Sequence, residues 1–75
     1  MRIQLYPEVS FDLMDGGVLK QHATYAVRIK KEGTKAKNMY GIASVEDAKV
    51  EAEKIVGPID WSPISFSGVV YGTPA

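Results

Sequence analysis

Apolar and polar residues alternate over the first part of the chain. In residues 1–14 the odd positions are apolar and the even positions are mostly polar. A period of two residues is typical of a strand with one buried face. Pro7 lacks the backbone N–H that a strand ladder uses, so it predicts that this strand is an edge strand or bends there. Asp15-Gly16-Gly17 then predicts a turn.

Two more alternating segments follow. Residues 23–30 and, more weakly, residues 37–43 repeat the two-residue period and predict two further strands. The segment 31–34 lies between them and predicts a hairpin turn. In the third strand, Tyr40 and Ile42 are expected to share one face.

Residues 44–58 predict a helix with defined ends. Its apolar residues recur at helical spacing and form one stripe: Val45, Ala48, Ala52, Ile55 and Val56. Ser44 is the predicted N-cap, and Asp47 stands three residues later, as in a shortened capping box. Gly57 and Pro58 predict the end of the helix, because glycine tolerates a left-handed conformation there and proline cannot continue a helix.

The last segment is apolar, but its spacing slips. Ile64 and Phe66 share one phase, whereas Val69 and Tyr71 share the other. This change of phase predicts a bulge at Gly68 within a final strand.

These elements predict a single domain over residues 1–75, of the α+β class. The predicted fold is a four-stranded antiparallel sheet with one helix packed on one face, in the order β-β-β-α-β. Residues 73–75 are expected to fray. The predicted core combines one face of the strands with the helical stripe: Ile3, Leu5, Val9, Phe11, Tyr25, Val27, Ile29, Ile42, Val45, Ala48, Ala52, Ile55 and Phe66.

The composition of the chain argues against several kinds of functional site. The chain has no cysteine, which excludes disulfides and thiolate ligands. His22 is its only histidine, and only Asp12 and Asp15 stand near it across the predicted turn. A metal ligand or a general base needs more partners than these, so we expect a surface histidine. The sequence predicts no enzyme activity, no cofactor and no metal.

Neither a signal peptide nor a membrane span is expected. The first residues contain no apolar run, and no segment approaches the ~18 apolar residues of a membrane span. Nine basic residues balance nine acidic ones, so the formal net charge is zero. With the absence of cysteine, these features predict a cytoplasmic protein that makes no membrane contact.

Charge is unevenly distributed, and this selects the candidate contact residues. The segment 20–37 contains six basic residues and one acidic residue, Glu32. The predicted partner-binding residues are those of the basic hairpin and three apolar or aromatic ones: Arg28, Lys30, Lys31, Lys35, Lys37, Tyr40, Val50 and Trp61. Structural alternatives stay open: a solvated turn for the lysines, ordinary exposure for Val50 and a core cap for Trp61.

The layout of residues 22–71 is similar to that of known small proteins. It begins with His22-Ala-Thr-Tyr25, continues through Ala43-Ser-Val-Glu-Asp-Ala48 and closes with Phe66-Ser-Gly-Val-Val-Tyr71. In size and element order it resembles small phage-encoded inhibitors of the host-takeover or anti-CRISPR type. The resemblance implies a protein that blocks a host protein or nucleoprotein complex with its surface.

Residues 23–57 also resemble the integrase-type arm-binding domains, three strands and a helix with a basic sheet. They are similar in order to the C-terminal half of a double-stranded RNA-binding domain. They differ from that family in that Glu46 and Asp47 stand where it has basic residues. Both resemblances imply contact with nucleic acid.

The sequence therefore predicts a small non-enzymatic protein-binding module. It would occlude a host or partner protein with the basic hairpin or with the exposed face of the helix. The alternative is a nucleic-acid-binding domain that uses the Lys-rich hairpin and the sheet face, with Tyr25 and Tyr40 stacking on bases. A third alternative is a homodimer formed through an edge strand.

Overall fold

A computed structural model describes all 75 residues and contains one helix and one antiparallel sheet of five strands. The elements in chain order are β1 (Arg2–Leu13), β2 (Leu19–Lys30), β3 (Lys37–Ile42), α1 (Val45–Val56), β4 (Ile59–Trp61) and β5 (Val70–Pro74). The strand order across the sheet is β3-β2-β1-β5-β4, and every neighbouring pair is antiparallel. The α+β class is confirmed, whereas the predicted count of four strands is wrong.

The additional strand is β4, which the sequence pattern does not reveal. It has only three residues, too few for an alternation to be recognised. It pairs with β5. Ile59 of β4 stands opposite Pro74 of β5, and Asp60 stands opposite Thr73. The expectation that residues 73–75 fray is therefore wrong for Thr73 and Pro74.

The segment before β5 is a loop and not the predicted strand. Ile64 and Phe66 lie outside any strand, and the backbone N–H of Gly68 donates to the carbonyl of Ser65 over 2.9 Å. The phase slip at Gly68 is therefore a tight turn, and the predicted bulge is wrong. A turn and a bulge both change the phase of apolar residues, so spacing alone does not separate them.

The helix begins and ends where the sequence predicts. The backbone N–H of Asp47 donates to the side-chain oxygen of Ser44 over 3.1 Å, which satisfies one of the free N–H groups of the first turn. Gly57 has φ +92° and donates its N–H to the carbonyl of Glu53 over 2.8 Å. Both predicted caps are confirmed.

The core lies between α1 and one face of the sheet. Its fully buried side chains from the strands are Ile3, Leu5, Val27 and Val70, and the helix adds Ala48 and Ala52. Small alanines let the helix axis approach the sheet closely. Tyr25, Ile42 and Val45 are partly buried and pack against this cluster.

Four predicted core residues are exposed, so those predictions are wrong. Val9 and Phe11 lie on β1 beyond the part that the helix covers, and Phe66 lies in the turn before β5. Ile55 is on the margin of the helical stripe, because residues advance 100° each around the helix. Ile59 and Val70 are buried but were not predicted.

The far part of β1 and β2 extends beyond the sheet as a two-stranded ribbon. β5 pairs with β1 only from Ile3 to Leu5, and β3 pairs with β2 only between Tyr25 and Ile29. Residues 9–23, here called the ribbon, therefore pair only with each other, through the turn Asp15–Gly17. The molecule is correspondingly elongated, with extents of 48 × 26 × 19 Å.

The ribbon also explains Pro7. β1 is the middle strand of the sheet, yet its pairing with β5 stops at Leu5, two residues before Pro7. From Pro7 onward one side of β1 has no strand partner, so the missing N–H breaks no ladder there. The predicted edge position is correct for this part of the strand only.

Candidate functional site

The five basic residues of the predicted hairpin do not share a face. In the register of β1 with β2, Arg28 and Lys30 lie on the sheet face that the helix leaves uncovered, called the open face here. Lys37 stands opposite Ile29, so it lies on the helix side of the edge strand β3. Lys31 and Lys35 belong to the connecting turn, where both are exposed.

Two internal hydrogen bonds stabilise the connecting turn between β2 and β3, which is called the basic turn here. One of them uses a charged side chain. Thr34 donates its hydroxyl to the carbonyl of Lys31 over 2.8 Å, and the ammonium of Lys30 bonds to the carbonyl of Thr34. A shallow depression of about 300 Å³ next to it is lined by Met1, Arg2, Lys30 and Glu32. Glu32 offsets part of the positive charge of this depression.

Tyr40 joins two other tyrosines on the open face. The register between β2 and β3 shifts between Tyr25 and Val27, so Met39 and Ile42 both face the helix and Tyr40 faces away. The expectation that Tyr40 and Ile42 share a face is therefore wrong, because the irregularity inserts a residue. Tyr6 is close to Tyr40, and Tyr71 stands opposite Gln4 on the same face.

Tyr25, the other predicted stacking residue, lies on the opposite face. It packs against the core cluster under the helix. On the open face, Ala26 stands opposite Tyr6 in register and is fully buried. Partial burial raises the pKa of Tyr6 above its ordinary 10.0, and the neighbouring Tyr40 and Glu8 raise it further.

Val50 and Trp61 lie on elements outside the basic hairpin. Val50 is exposed on the outer side of α1. Trp61 lies on β4, packs against the core and donates its indole N–H to Glu53 of the helix over 2.9 Å. The indole thus links the helix to the edge of the sheet, which agrees with the core-cap alternative.

A large exposed apolar surface is on the ribbon, which contains the predicted core residues Val9 and Phe11. Its strands place Val9 opposite Ala23, Phe11 opposite Gln21 and Leu13 opposite Leu19. These six residues form one face, called the ribbon face here, which is on the helix side of the sheet. The exposed fractions of its large side chains are 54% for Val9, 61% for Phe11, 74% for Leu13 and 63% for Leu19.

Apart from Gln21, the polar residues of the ribbon strands lie on the other face. The Nδ1 atom of His22 is 3.2 Å from a carboxylate oxygen of Asp12, and the hydroxyls of Ser10 and Thr24 are 2.9 Å apart. These cross-strand pairs hold the register of the ribbon. The ribbon is therefore largely apolar on one face, where Gln21 is the exception, and polar on the other.

The lengths of the elements could have revealed the ribbon face from the sequence. A helix of twelve residues is about 18 Å long, whereas an alternating strand of twelve residues spans about 40 Å. One such helix covers less than half of such a strand. The far apolar positions of β1 are therefore left without a cover in this chain.

Comparison with known proteins adds no identification. No protein-family model, no curated protein and no solved structure matches this chain. No three histidine, aspartate or glutamate side chains are grouped as a metal ion would need. The one helix falls short of the length and apolarity of a bilayer-crossing helix.

Proposed function

We propose that this protein is a non-enzymatic protein-binding module and that the ribbon face is its main contact surface. The observation that supports the proposal is the uncharged, largely exposed face of Val9, Phe11, Leu13 and Leu19. The largest apolar patch on a soluble monomer is often the site at which it binds a partner. Action in the cytoplasm is part of this proposal.

The exposed apolar area is large enough to drive binding. Four side chains exposed by more than half present roughly 400 Å² of apolar surface, given the sizes of Phe, Leu and Val side chains. At about 25 cal/mol per Å², covering this surface contributes about 10 kcal/mol before the entropic costs of association. Those costs are about 4–15 kcal/mol, so the surface supports a complex together with further contacts around it.

The basic turn has a separate role in the proposal. It lies at one end of β2, and the ribbon turn lies at the other end, so one small partner does not reach both. Lys31 and Lys35 would steer an acidic partner and affect its association rate more than its final affinity. An inhibitor of the phage type, as the resemblance implies, would combine the two regions on one large target.

Photo-crosslinking at neighbouring residues tests the proposal directly. A benzophenone amino acid in place of Phe11 lies on the ribbon face, whereas the same group in place of Asp12 lies on the opposite face. We expect position 11 to form discrete crosslinks to protein and position 12 to form few or none. Equal yields at both positions, or none at position 11, would contradict a ribbon-face interface.

A second candidate function has its own supporting observation. Tyr6, Tyr40 and Tyr71 share the open face with Arg28 and Lys30, and this face has no helix over it. Aromatic rings and cations on an open sheet face suit single-stranded nucleic acid, whose bases stack and whose phosphates are neutralised.

Binding of a fluorescent single-stranded oligonucleotide tests this candidate. We expect Arg28→Gln to weaken binding and to reduce its salt dependence, since a phosphate contact is lost. Lys37→Gln is the matched control, because Lys37 lies on the other face of the neighbouring strand. Equal losses for both variants, or no binding at low salt, would exclude the open face as a nucleic-acid site.

A further inference from the structure

The ribbon face has the composition of an interface between identical subunits. It contains no charged side chain, because Asp12, Lys20 and His22 of its strands all point to the open face. The buried centres of homodimer interfaces are more apolar than other interfaces and depleted of charge. We propose that two copies of this chain pack ribbon face against ribbon face. This inference rests on the proposed function and names its partner.

The available area agrees with what a weak dimer needs. The ribbon face exposes roughly 400 Å² of apolar surface in each copy. Two copies would together bury roughly 800 Å² of apolar surface, which is at the low end for specific interfaces and predicts a dimer that forms at high concentration.

A second ribbon also supplies the layer that the first one lacks. A two-stranded hairpin is marginally stable alone in water, and the ribbon has neither a third strand nor a helix over it. Two ribbons stacked at about 10 Å would form a small two-layer sandwich with the leucine and phenylalanine side chains between them. A patch that meets its own copy about a two-fold axis needs no second kind of surface.

The charge of the molecule allows this approach. The formal net charge of the chain is zero, so two copies do not repel each other at long range. The charges of the ribbon lie on the outer faces of the proposed pair, where they stay in water. Neither copy therefore has to bury an unpaired charge.

Sedimentation equilibrium of the purified chain from roughly 1 to 500 µM tests the inference, since mass action makes a dimer depend on concentration. We expect the wild type to show the mass of two chains at the upper end of this range. Leu13→Asp places a charge within the proposed interface, and we expect it to show the mass of one chain throughout.

Val50→Asp is the matched control. Val50 and Val9 are similarly exposed valines, at 51% and 54%, but Val50 lies on the outer side of the helix. We expect Val50→Asp to associate like the wild type and Val9→Asp to dissociate. The fluorescence of Trp61, which lies in the body of the fold, reports whether each variant stays folded.

Three results would overturn the inference. The first is a wild type with the mass of one chain at every concentration. The second is a two-chain species that persists in folded Leu13→Asp, since another surface such as an edge strand would then hold the copies together. The third is a one-chain wild type that floats with lipid vesicles while Leu13→Asp does not, which would assign the face to a lipid surface.

The crosslinking experiment separates this inference from the proposed function. A benzophenone at position 11 that links one copy to another supports both. A one-chain wild type that crosslinks from position 11 to a different protein overturns self-association and leaves the protein-binding function in place. Failure to crosslink to any protein overturns both.

Discussion

Gly72 on β5 has the least room of the seven glycines. A Cβ at this position would lie 2.7 Å from Cγ2 of Ile59 and 2.9 Å from Cζ3 of Trp61, both on the neighbouring strand β4. The absence of a side chain therefore lets the indole lie flat against β5. Ile59 is buried and Trp61 packs against the core, so this close approach completes the edge of the sheet.

We expect Gly72→Ala to lower the free energy of unfolding by about 1–3 kcal/mol, the usual cost of overpacking. Urea unfolding followed by the fluorescence of Trp61 measures it. Thr73→Ala, at the exposed next position on β5, should change the free energy by less than about 0.5 kcal/mol. Equal effects of the two substitutions would show that the contact with β4 is not the cause.

Tyr6 makes stability depend on pH above the ordinary phenol range. Its pKa is raised above 10.0 in the folded protein by partial burial, then by Tyr40 and Glu8. Between 10.0 and the folded pKa, the unfolded chain has lost this proton and the folded chain has kept it. The contribution of Tyr6 is therefore fully present below pH 10.0 and is lost as the pH rises through the folded pKa.

We expect Tyr6→Phe to lose less stability than the wild type between about pH 9 and about pH 11, because phenylalanine has no proton to lose. Urea unfolding of both proteins at the two pH values measures the difference. An identical decrease in the two proteins would mean that other groups cause the alkaline destabilisation. Absorbance of the phenolate during titration checks the direction of the pKa shift independently.

At the scale of elements, the lengths of α1 and β1 decide what is covered. The helix contacts β2, β1 and β3 and reaches β4 through Glu53, so it crosses the strands near the basic end of the sheet and leaves the ribbon uncovered. The indole of Trp61 and the carboxylate of Glu53 connect the helix to β4 at the far edge. The helix is thus held at both sides of the sheet but covers only part of its length.

The position of the helix start depends on Ser44. We expect Ser44→Ala to destabilise the protein by about 1 kcal/mol, since the N–H of Asp47 loses its acceptor. Ser44→Asp keeps an acceptor and should stay within a few tenths of a kcal/mol of the wild type. Chemical unfolding of the three proteins measures both values, and an equal loss in the two variants would exclude the cap as the cause.

At the scale of the whole molecule, the ribbon is separable from the rest of the fold, which is called the body here. Every large buried side chain belongs to the body: Ile3, Leu5, Val27, Ile29, Ile59 and Val70. The ribbon contributes no side chain to the core cluster. The elongation of the molecule therefore comes from a segment that its own core does not need.

We expect a chain in which Asn-Gly replaces residues 11–21 to fold, because this pair forms a two-residue hairpin turn between the paired Ser10 and His22. Its free energy of unfolding, measured in dilute solution, should be within about 1 kcal/mol of the wild type, the range for changes that remove no core contact. A shortened chain that is unfolded would show that the ribbon supports the body.

The sequence by itself determined the elements whose signals are local. Alternation marked β1, β2 and β3, and the caps at Ser44 and Gly57 marked both ends of the helix, because these signals depend on neighbours in the chain. The basic turn and the glycine turn of the ribbon were also predictable from their residues.

Only the tertiary structure decided which apolar positions are buried. Phe11 and Val27 obey the same alternation, yet Val27 lies under the helix and Phe11 lies beyond it. The three-residue strand β4 and the register shift that turns Tyr40 away from the core likewise depend on pairing between distant segments. Periodicity reports which face a side chain is on, whereas burial depends on what lies opposite that face.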